Sequence, residues 1–196
     1  MENKTFLQSN SQSGFALLMS LIVVTVLISI GLSVLELSIK QVQLSTNARD
    51  SEIAFHAANA GMECSRYWRR ALEEEMETGQ QISPTCFSVS AGNVSSETLL
   101  STAGGDVFKY EYEFPWGATP PDRCTQVTTL VASSTLPGPG VTINNIPVHI
   151  DGYAGGTSRF CEAGTRCTII SVRGYNKPCT GVSSYGTVQR EVLLEF

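Results

Sequence analysis

Six cysteines carry the clearest chemistry in this 196-residue chain, and all six follow a long apolar run. They are Cys64, Cys86, Cys124, Cys161, Cys167 and Cys179. An even number on one side of such a run is typical of disulfides in an oxidising compartment, and reduced, buried cysteines are the alternative. A metal site is disfavoured, because no Cys-x-x-Cys occurs and the two histidines lie far from any cysteine pair. We therefore predict disulfides, no metal and no cofactor.

Six cysteines can pair in about fifteen ways, and the sequence narrows these possibilities without choosing one. The stretch EAGTR, residues 162–166, is short enough that the two cysteines around it pair most simply with each other. A second pair would join the end of a helix to the loop that follows it. The resulting set is Cys161 with Cys167, Cys64 with Cys86, and Cys124 with Cys179.

A catalytic set is not evident from the remaining reactive side chains. His56 lies within a predicted helix, where a solvated or partner-facing role is favoured over that of a base. His149 is predicted on a strand after Pro147, without a nearby nucleophile pattern. The stretch GTSRF around Ser158 lacks the Gly-x-Ser-x-Gly form of a hydrolase elbow. We predict that the protein is not an enzyme.

Charged residues indicate no nucleic-acid partner and a solvated helix end. The formal net charge of -5 argues against a broad phosphate-binding face. The acidic run EEEME, residues 73–77, follows two arginines, so that Arg69 lies one helical turn from Glu73 and Arg70 one turn from Glu74. Such pairs contribute only tenths of a kcal/mol. A solvated helix end is favoured over a calcium site.

An apolar segment from Phe15 to Leu35 contains no charged residue and, as a helix, spans roughly 32 Å. It is long enough to cross a bilayer once. A cleaved secretory signal is disfavoured, because the leader has a single Lys4 against Glu2 and no Ala-x-Ala follows the run. The segment is therefore either an uncleaved single-pass anchor or is processed before the run, at Gly14. The cysteines place the C-terminal part outside the cytoplasm.

Helix formers continue without proline beyond this segment, which predicts one helix from about Phe15 to Leu72. An apolar stripe breaks at residues 45–50 and resumes at Ile53, Ala57, Ala60, Cys64 and Trp68. Small neighbouring residues, including Gly61, would let a sheet approach the second half of this helix closely. The helical signal ends near Gly79.

Short β-prone runs separated by turn residues follow, which predicts an antiparallel sheet with one face against the helix. In KYEYEF, alternation places Tyr110, Tyr112 and Phe114 on one face. The fold class is therefore α+β. The predicted strands are Val107–Trp116, Val127–Ser134, Val141–Tyr153 (interrupted by Pro147), Thr168–Tyr175 and Thr187–Phe196.

The junction SGFALLMSLIVV resembles the class III signal of type IV pilins, whose prepilin peptidase cuts after a glycine. The resemblance implies cleavage between Gly14 and Phe15 and N-methylation of Phe15. The helix segment RDSEIAFHAANAGME also resembles PilX-type minor pilins, and together the two matches cover about residues 13–70. The residues that carry the second are Arg49, Asp50, Ala54, Phe55, Ala57, Ala58, Ala60, Gly61 and Glu63.

One departure from the pilin pattern concerns the fifth residue of the processed chain. Major pilins carry a glutamate there, whereas this sequence has Met19. The helix itself is not weakened by the change, because a buried carboxylate is costly unless paired. What is lost is a registry contact with a neighbouring subunit, which favours a minor subunit.

The resemblance implies a pilin α/β roll with a leader (1–14), a membrane-spanning and assembly helix (15–35), a helical continuation (36–78) and a β-rich extracytoplasmic domain (79–196). It implies a minor pilin or pseudopilin in the cytoplasmic membrane and then in a pilus, with an adhesion, DNA-uptake or secretion role. Its partners would be other pilins, the assembly machinery, the prepilin peptidase and membrane lipid. The alternatives are a single-pass anchored ligand-binding domain and an anchored enzyme. Loops 137–140 and 152–167 are the predicted partner surfaces.

Overall fold

The computed structural model describes residues 12–86, 88–117 and 121–196, without the side chains of residues 12 and 13. The predicted leader residues Glu2 and Lys4 lie outside the described part. The chain divides into two compact units, Met1–Thr46 and Asn47–Phe196. A long N-terminal helix is followed by antiparallel strands, so the predicted α+β fold class is confirmed.

Helix α1 runs from Gln12 to Ala71 and is followed by the short helix α2, Glu73–Glu77. The absence of proline and the many helix formers account for the length of α1. The two helices are separated at Leu72, whose φ of -114° and ψ of 39° lie outside the helical region. The predicted helix therefore ends one residue earlier than expected, and the acidic run forms an element of its own.

Five strands form the main sheet, in the order β3-β4-β5-β8-β9, and every neighbouring pair is antiparallel. Two pairs of short strands, β1 with β2 and β6 with β7, complete the described β-structure. The strands are β1 (Thr85–Cys86), β2 (Val89–Ser90), β3 (Gly92–Thr102), β4 (Gly105–Trp116), β5 (Arg123–Ser134), β6 (Val141–Asn144), β7 (Ser158–Cys161), β8 (Arg166–Tyr175) and β9 (Gln189–Glu195).

One face of the sheet packs against the part of α1 that belongs to the second unit. As predicted from alternation, Tyr110, Tyr112 and Phe114 all point to this face and are buried. The contact is close because glycine lies on both sides of it. A Cβ added to Gly61 would overlap Thr125 and lie 2.8 Å from Cγ1 of Val172, and one added to Gly174 would lie 2.8 Å from Cβ of Ala57.

The buried face of α1 differs in detail from the predicted stripe. Ile53, Ala60 and Trp68 are only half-buried, whereas Ala54 and Ala58 are fully buried. The sheet approaches the smallest side chains most closely, so size rather than hydrophobicity selects the contact face. A hydrogen bond also joins the sheet to the helix backbone, because the hydroxyl of Thr125 donates to the carbonyl oxygen of Ala57 at 3.0 Å.

The opposite face of the sheet is half-covered by a layer made of β6, helix α3 (Ile146–His149) and β7. The β-structure predicted over Val141–Tyr153, with an interruption at Pro147, ends at Asn144, and the prediction was wrong beyond it. Asn145 adopts a left-handed conformation, and Pro147 then lies in the first turn of α3, where its missing N–H costs nothing. His149 consequently lies at the end of a helix and not on a strand.

Strand β3 was not predicted. Its sequence, GNVSSETLLST, is mostly polar and its burial alternates only at the start, because it forms an edge of the sheet. Its register also shifts twice against β4, between Gly92 and Ser95 and between Thr98 and Leu100. Such bulges protect an edge strand from pairing with other chains.

The end of α1 is closed by an ion-pair cluster with one buried pair, and not by the solvated pairs that were predicted. Arg69 is 4% exposed; its Nη2 lies 2.8 Å from Oε1 of Glu77, and its Nε donates to Oγ1 of Thr168 at 3.0 Å. Arg166 of β8 pairs with Glu73 and, at 3.1 Å, with Glu77. The break at Leu72 turns α2 so that Glu77 takes the place predicted for Glu73.

Three disulfides brace the second unit, and they join the same pairs that the sequence favours. Cys64 on α1 is bonded to Cys86 with their Cα atoms 6.0 Å apart. Next to this bridge, Nε1 of Trp68 donates to the carbonyl oxygen of Thr85 at 2.9 Å. The other bridges join Cys124 to Cys179 and Cys161 to Cys167.

Candidate functional site

The first unit presents an apolar helix whose described side chains are all exposed. An 18-residue window of this helix has a mean hydropathy of 2.7, and the segment is long and apolar enough to cross a membrane. Phe15 is 65% exposed and Leu27 62%. A soluble surface rarely carries so large a contiguous apolar area, so the helix requires lipid or other apolar helices around it.

The predicted processing junction lies in the first turns of α1. Gly14 and Phe15 are both helical and exposed. A Cβ added to Gly14 would meet nothing within 4 Å, so packing in this chain does not require glycine there.

Met19, at the fifth position after that junction, is 48% exposed on the same helix. It lies in a continuous apolar surface, and Glu36 is the first charged residue after it in the sequence. Two hydroxyls between them bond within the helix: Ser20 donates to the carbonyl oxygen of Leu17 and Thr25 to that of Ile22, each at 2.8 Å. These polar groups can thus enter an apolar environment without losing a hydrogen bond.

The second unit contains a polar groove on the uncovered half of the outer sheet face. We call it the outer groove, and its cavity volume is about 410 Å³. Its floor is formed by side chains of the central strands and one wall by residues from the end of α3. The residues that define it are Glu111, Glu113, Gln126, Thr128, Arg173, His149 and Asp151.

Hydrogen bonds and ion pairs tie the groups of the outer groove together. Nδ2 of Asn93 donates to Oε1 of Glu113 at 2.5 Å, and Nη2 of Arg173 lies 3.4 Å from Oδ2 of Asp151. The volume falls in the range of small-ligand pockets. The mixture of carboxylates, amides and one guanidinium suits hydrogen bonding to a polar ligand.

Two groups next to the outer groove have pKa values shifted by their surroundings. Burial by itself would lower the pKa of Lys109, but hydrogen bonds and charge from Glu97 and Glu111 outweigh burial, so its pKa is raised. Burial, together with a hydrogen bond to Glu195, raises the pKa of Tyr153 to about 12. Both groups therefore stay protonated at neutral pH, the lysine as a cation and the tyrosine as a donor.

The remaining candidates from the sequence do not come together. His56 is exposed on α1 with its Nε2 3.8 Å from Oε1 of Glu52. Ser158 is exposed on β7, and His149 lies in the wall of the outer groove. Among the described residues, Glu113 lies near Cys124 and Cys179, but these cysteines are bonded to each other and offer no thiolate to a metal.

The outer groove was missed at the sequence level. The alternation in KYEYEF that places the aromatic residues on one face also puts Lys109, Glu111 and Glu113 on the opposite face. Polar residues on that face of the strand predict that no other layer covers this half of the sheet. The end of α3 forms one wall of the groove. That helix depends on the turn at Asn145 and Pro147, a stretch that the sequence predicts as part of a strand.

Two large apolar side chains are exposed at the predicted partner loops, Phe160 within residues 152–167 and Leu136 directly before residues 137–140. Leu136 is 74% exposed and lies over Gly164, while Phe160 is 57% exposed and lies over Gly140. The end of β5 holds the second of these loops, because the hydroxyl of Ser134 donates to the carbonyl oxygen of Glu162 at 2.6 Å.

Comparison with known proteins now identifies the N-terminal region. Residues 13–63 match a family model described as PilX N-terminal, which confirms the predicted resemblance to pilins of this type. No curated protein and no solved structure matches the chain. The match covers the exposed apolar helix and the part of α1 up to Glu63, so the similarity to minor pilins of type IV pili is confined to this N-terminal region.

Proposed function

We propose that the chain is a minor pilin or pseudopilin, a structural subunit of a type IV pilus or a related filament or secretion assembly. The single observation that carries this proposal is that the residues matched by the PilX N-terminal family include the fully exposed apolar helix. An apolar helix that is exposed along its whole described length needs lipid before assembly and other helices afterwards. A structural subunit uses such a helix for assembly as well as for anchoring.

The proposed life cycle has three steps. The chain is inserted in the cytoplasmic membrane with its disulfide-braced unit outside the cytoplasm, because the disulfides require an oxidising compartment. The prepilin peptidase then removes residues 1–14, and Phe15 becomes the N-methylated first residue. The helix finally passes from lipid into a bundle of like helices.

Mass spectrometry of the mature N-terminus tests this proposal. Co-expressed with a prepilin peptidase, the chain is expected to begin at methylated Phe15. Gly14→Val should abolish processing, since a branched side chain blocks the approach of the protease to the backbone. Gly31→Val is the matched control, because Gly31 is equally open in the same helix. A chain that keeps Met1 in the presence of an active peptidase contradicts the proposal.

A second candidate, a membrane-anchored ligand-binding domain, is favoured by the outer groove alone. Its volume and polar lining are those of a binding pocket. This candidate needs the apolar helix only as an anchor and predicts no processing at Gly14. The same mass measurement therefore separates the two.

A further inference from the structure

Three side chains from neighbouring strands form a row on the floor of the outer groove. Glu113 of β4 is level with Gln126 of β5, and Gln126 is level with Arg173 of β8. Because adjacent strands lie about 5 Å apart, the row is roughly 10 Å long. All three residues line the groove, and we call them the polar row.

Bonds within the protein fix the orientation of the first two members of the polar row. Oε1 of Glu113 accepts from Nδ2 of Asn93 at 2.5 Å, and Oε1 of Gln126 accepts from the hydroxyl of Tyr175 at 2.9 Å. These bonds leave Oε2 of Glu113 as an acceptor and the NH₂ group of Gln126 as a donor. A ligand therefore meets groups that are already ordered, which lowers the entropic cost of binding.

The third member, Arg173, is held between two carboxylates. Its Nη2 lies 3.4 Å from Oδ2 of Asp151, and its Nε lies 3.9 Å from Oε1 of Glu191. These contacts balance its charge, yet a guanidinium has five N–H donors, so donors remain for a ligand. From Glu113 to Arg173 the polar row thus offers an acceptor, then a donor, then further donors.

The charges and polar groups of the outer groove restrict the kind of ligand. Its lining has three carboxylates, Glu111, Glu113 and Asp151, against the single guanidinium of Arg173, so an anion is disfavoured. A simple cation would bind Glu113 but leave the N–H groups of Gln126 and Arg173 without acceptors. An apolar ligand would cover all these groups without bonding them, which is costly. A neutral ligand that both donates and accepts remains.

Hydroxyl groups meet this requirement, because each donates one hydrogen bond and accepts two. The groove also has an apolar contact for the C–H groups of a sugar ring, since Val148 lines it and is 77% exposed. We propose that the outer groove binds a neutral saccharide, whose hydroxyls donate to Glu113 and accept from Gln126 and Arg173. This inference goes beyond the proposed function, because the groove lies within the second unit and serves an assembled or a merely anchored chain equally.

An array of immobilised neutral oligosaccharides tests the class of ligand. The full chain is applied in micelles of a detergent without a sugar headgroup. Uronic-acid forms of the same oligosaccharides, in which a hydroxymethyl group is a carboxylate, are the anionic probes, and immobilised spermidine is the cationic probe. We expect binding to at least one neutral oligosaccharide and several-fold weaker binding to its uronic-acid form. Binding to no neutral oligosaccharide, or preferential binding to the anionic or cationic probes, overturns the proposal.

Variants of the polar row test the location of the site. Glu113→Gln, which replaces an acceptor by a donor, and Arg173→Gln, which removes the guanidinium, should each weaken binding of the preferred oligosaccharide roughly tenfold. Glu74→Gln and Arg159→Gln are the matched controls, because they make the same changes at exposed residues outside the groove. The controls should bind like the unaltered chain. Equal losses in the row and control variants overturn the proposal.

A variant that fills the groove avoids dependence on the ion pairs of Arg173. Ser95 lines the groove from the edge strand β3 and is exposed, so Ser95→Tyr should abolish binding without lowering the unfolding temperature. Unchanged binding by Ser95→Tyr overturns the proposal. Processing at Gly14 is measured on the same preparations. Absent binding with normal processing overturns this inference alone, whereas binding by a chain that keeps Met1 in the presence of an active peptidase overturns only the proposed function.

Discussion

Arg69 of α1 and Glu77 of α2 form an ion pair whose two side chains are 5% and 9% exposed, with Nη2 and Oε1 2.8 Å apart. Removal of one partner from a buried pair leaves the other charge unpaired, at a cost of about 3–5 kcal/mol. Arg69→Met should therefore lower the free energy of unfolding by roughly 3 kcal/mol, measured by urea unfolding of the full chain in micelles. Arg66→Met, which removes an exposed pair with Glu63, should cost under about 1 kcal/mol. Equal losses of unfolding free energy in Arg69→Met and Arg66→Met would contradict a stabilising role for the buried pair.

Gly61→Ala should destabilise the protein by about 1–3 kcal/mol, because the added methyl overlaps Thr125 and Val172. Gly31→Ala is a matched control in the same helix, since nothing lies within 4 Å of its added Cβ. There the better helix propensity of alanine should dominate and stabilise the helix by about 1 kcal/mol. Thermal unfolding followed by circular dichroism measures both, and opposite signs are the expected result.

The stability of the second unit should fall at alkaline pH. Burial raises the pKa of Tyr112 from about 10 to about 12, so its neutral form is favoured in the folded state. The contribution of neutral Tyr112 to the free energy of unfolding is complete below pH 10. It is lost as pH rises toward 12, at roughly 1.4 kcal/mol per pH unit at most. Tyr112→Phe should flatten this decline in urea titrations between pH 10 and 12. An unchanged decline would exclude Tyr112 as a cause.

The disulfides should differ in the stability that they provide. Cys124 and Cys179 are 55 residues apart in sequence, against 6 for Cys161 and Cys167. The chain-entropy relation assigns about 4 kcal/mol to the longer loop and about 2 kcal/mol to the shorter one. Paired serine substitutions, compared by urea unfolding under oxidising conditions, should follow this order. A reversed order would show that loop entropy does not govern these bridges.

A charge in the apolar helix should prevent stable membrane insertion. Leu27→Arg places a cation near the middle of the segment, at a cost of about 2.5–3.5 kcal/mol on insertion scales. Leu136→Arg is the control, because Leu136 is similarly exposed but lies in a loop of the other unit. Alkaline extraction of membranes should release Leu27→Arg and retain Leu136→Arg. Release of both, or of neither, would mean that the exposure of Leu27 has no membrane role.

Local patterns in the sequence predicted the elements that obey one period over many residues. The helix and the aromatic face of Tyr110, Tyr112 and Phe114 were found in this way, because periodicity reports burial directly. The polar edge strand β3 was not found, because its sequence is mostly polar and its burial alternates only at the start. Its neighbour β4 was predicted because its apolar and polar residues alternate.

Contacts between distant residues explain the other differences. Arg69 was assigned to Glu73 on the premise that the helix continues, but it bonds Thr168, 99 residues away. The sequence around Arg69 does not predict Thr168 as its partner. The outer groove has the same origin, because its wall and its floor come from separate parts of the chain.

The close packing of α1 on the sheet has a consequence for the order in which the molecule forms. The helix begins early in the chain, yet Thr125 lies 68 residues after its partner Ala57, and Gly174 and Val172 follow much later. During synthesis, the alanine-rich face therefore has no surface to dock on until β8 has emerged. Such non-local contacts form slowly, and unpaired apolar surface is prone to aggregate in the meantime. A membrane that holds the leading helix would keep nascent chains apart during this wait.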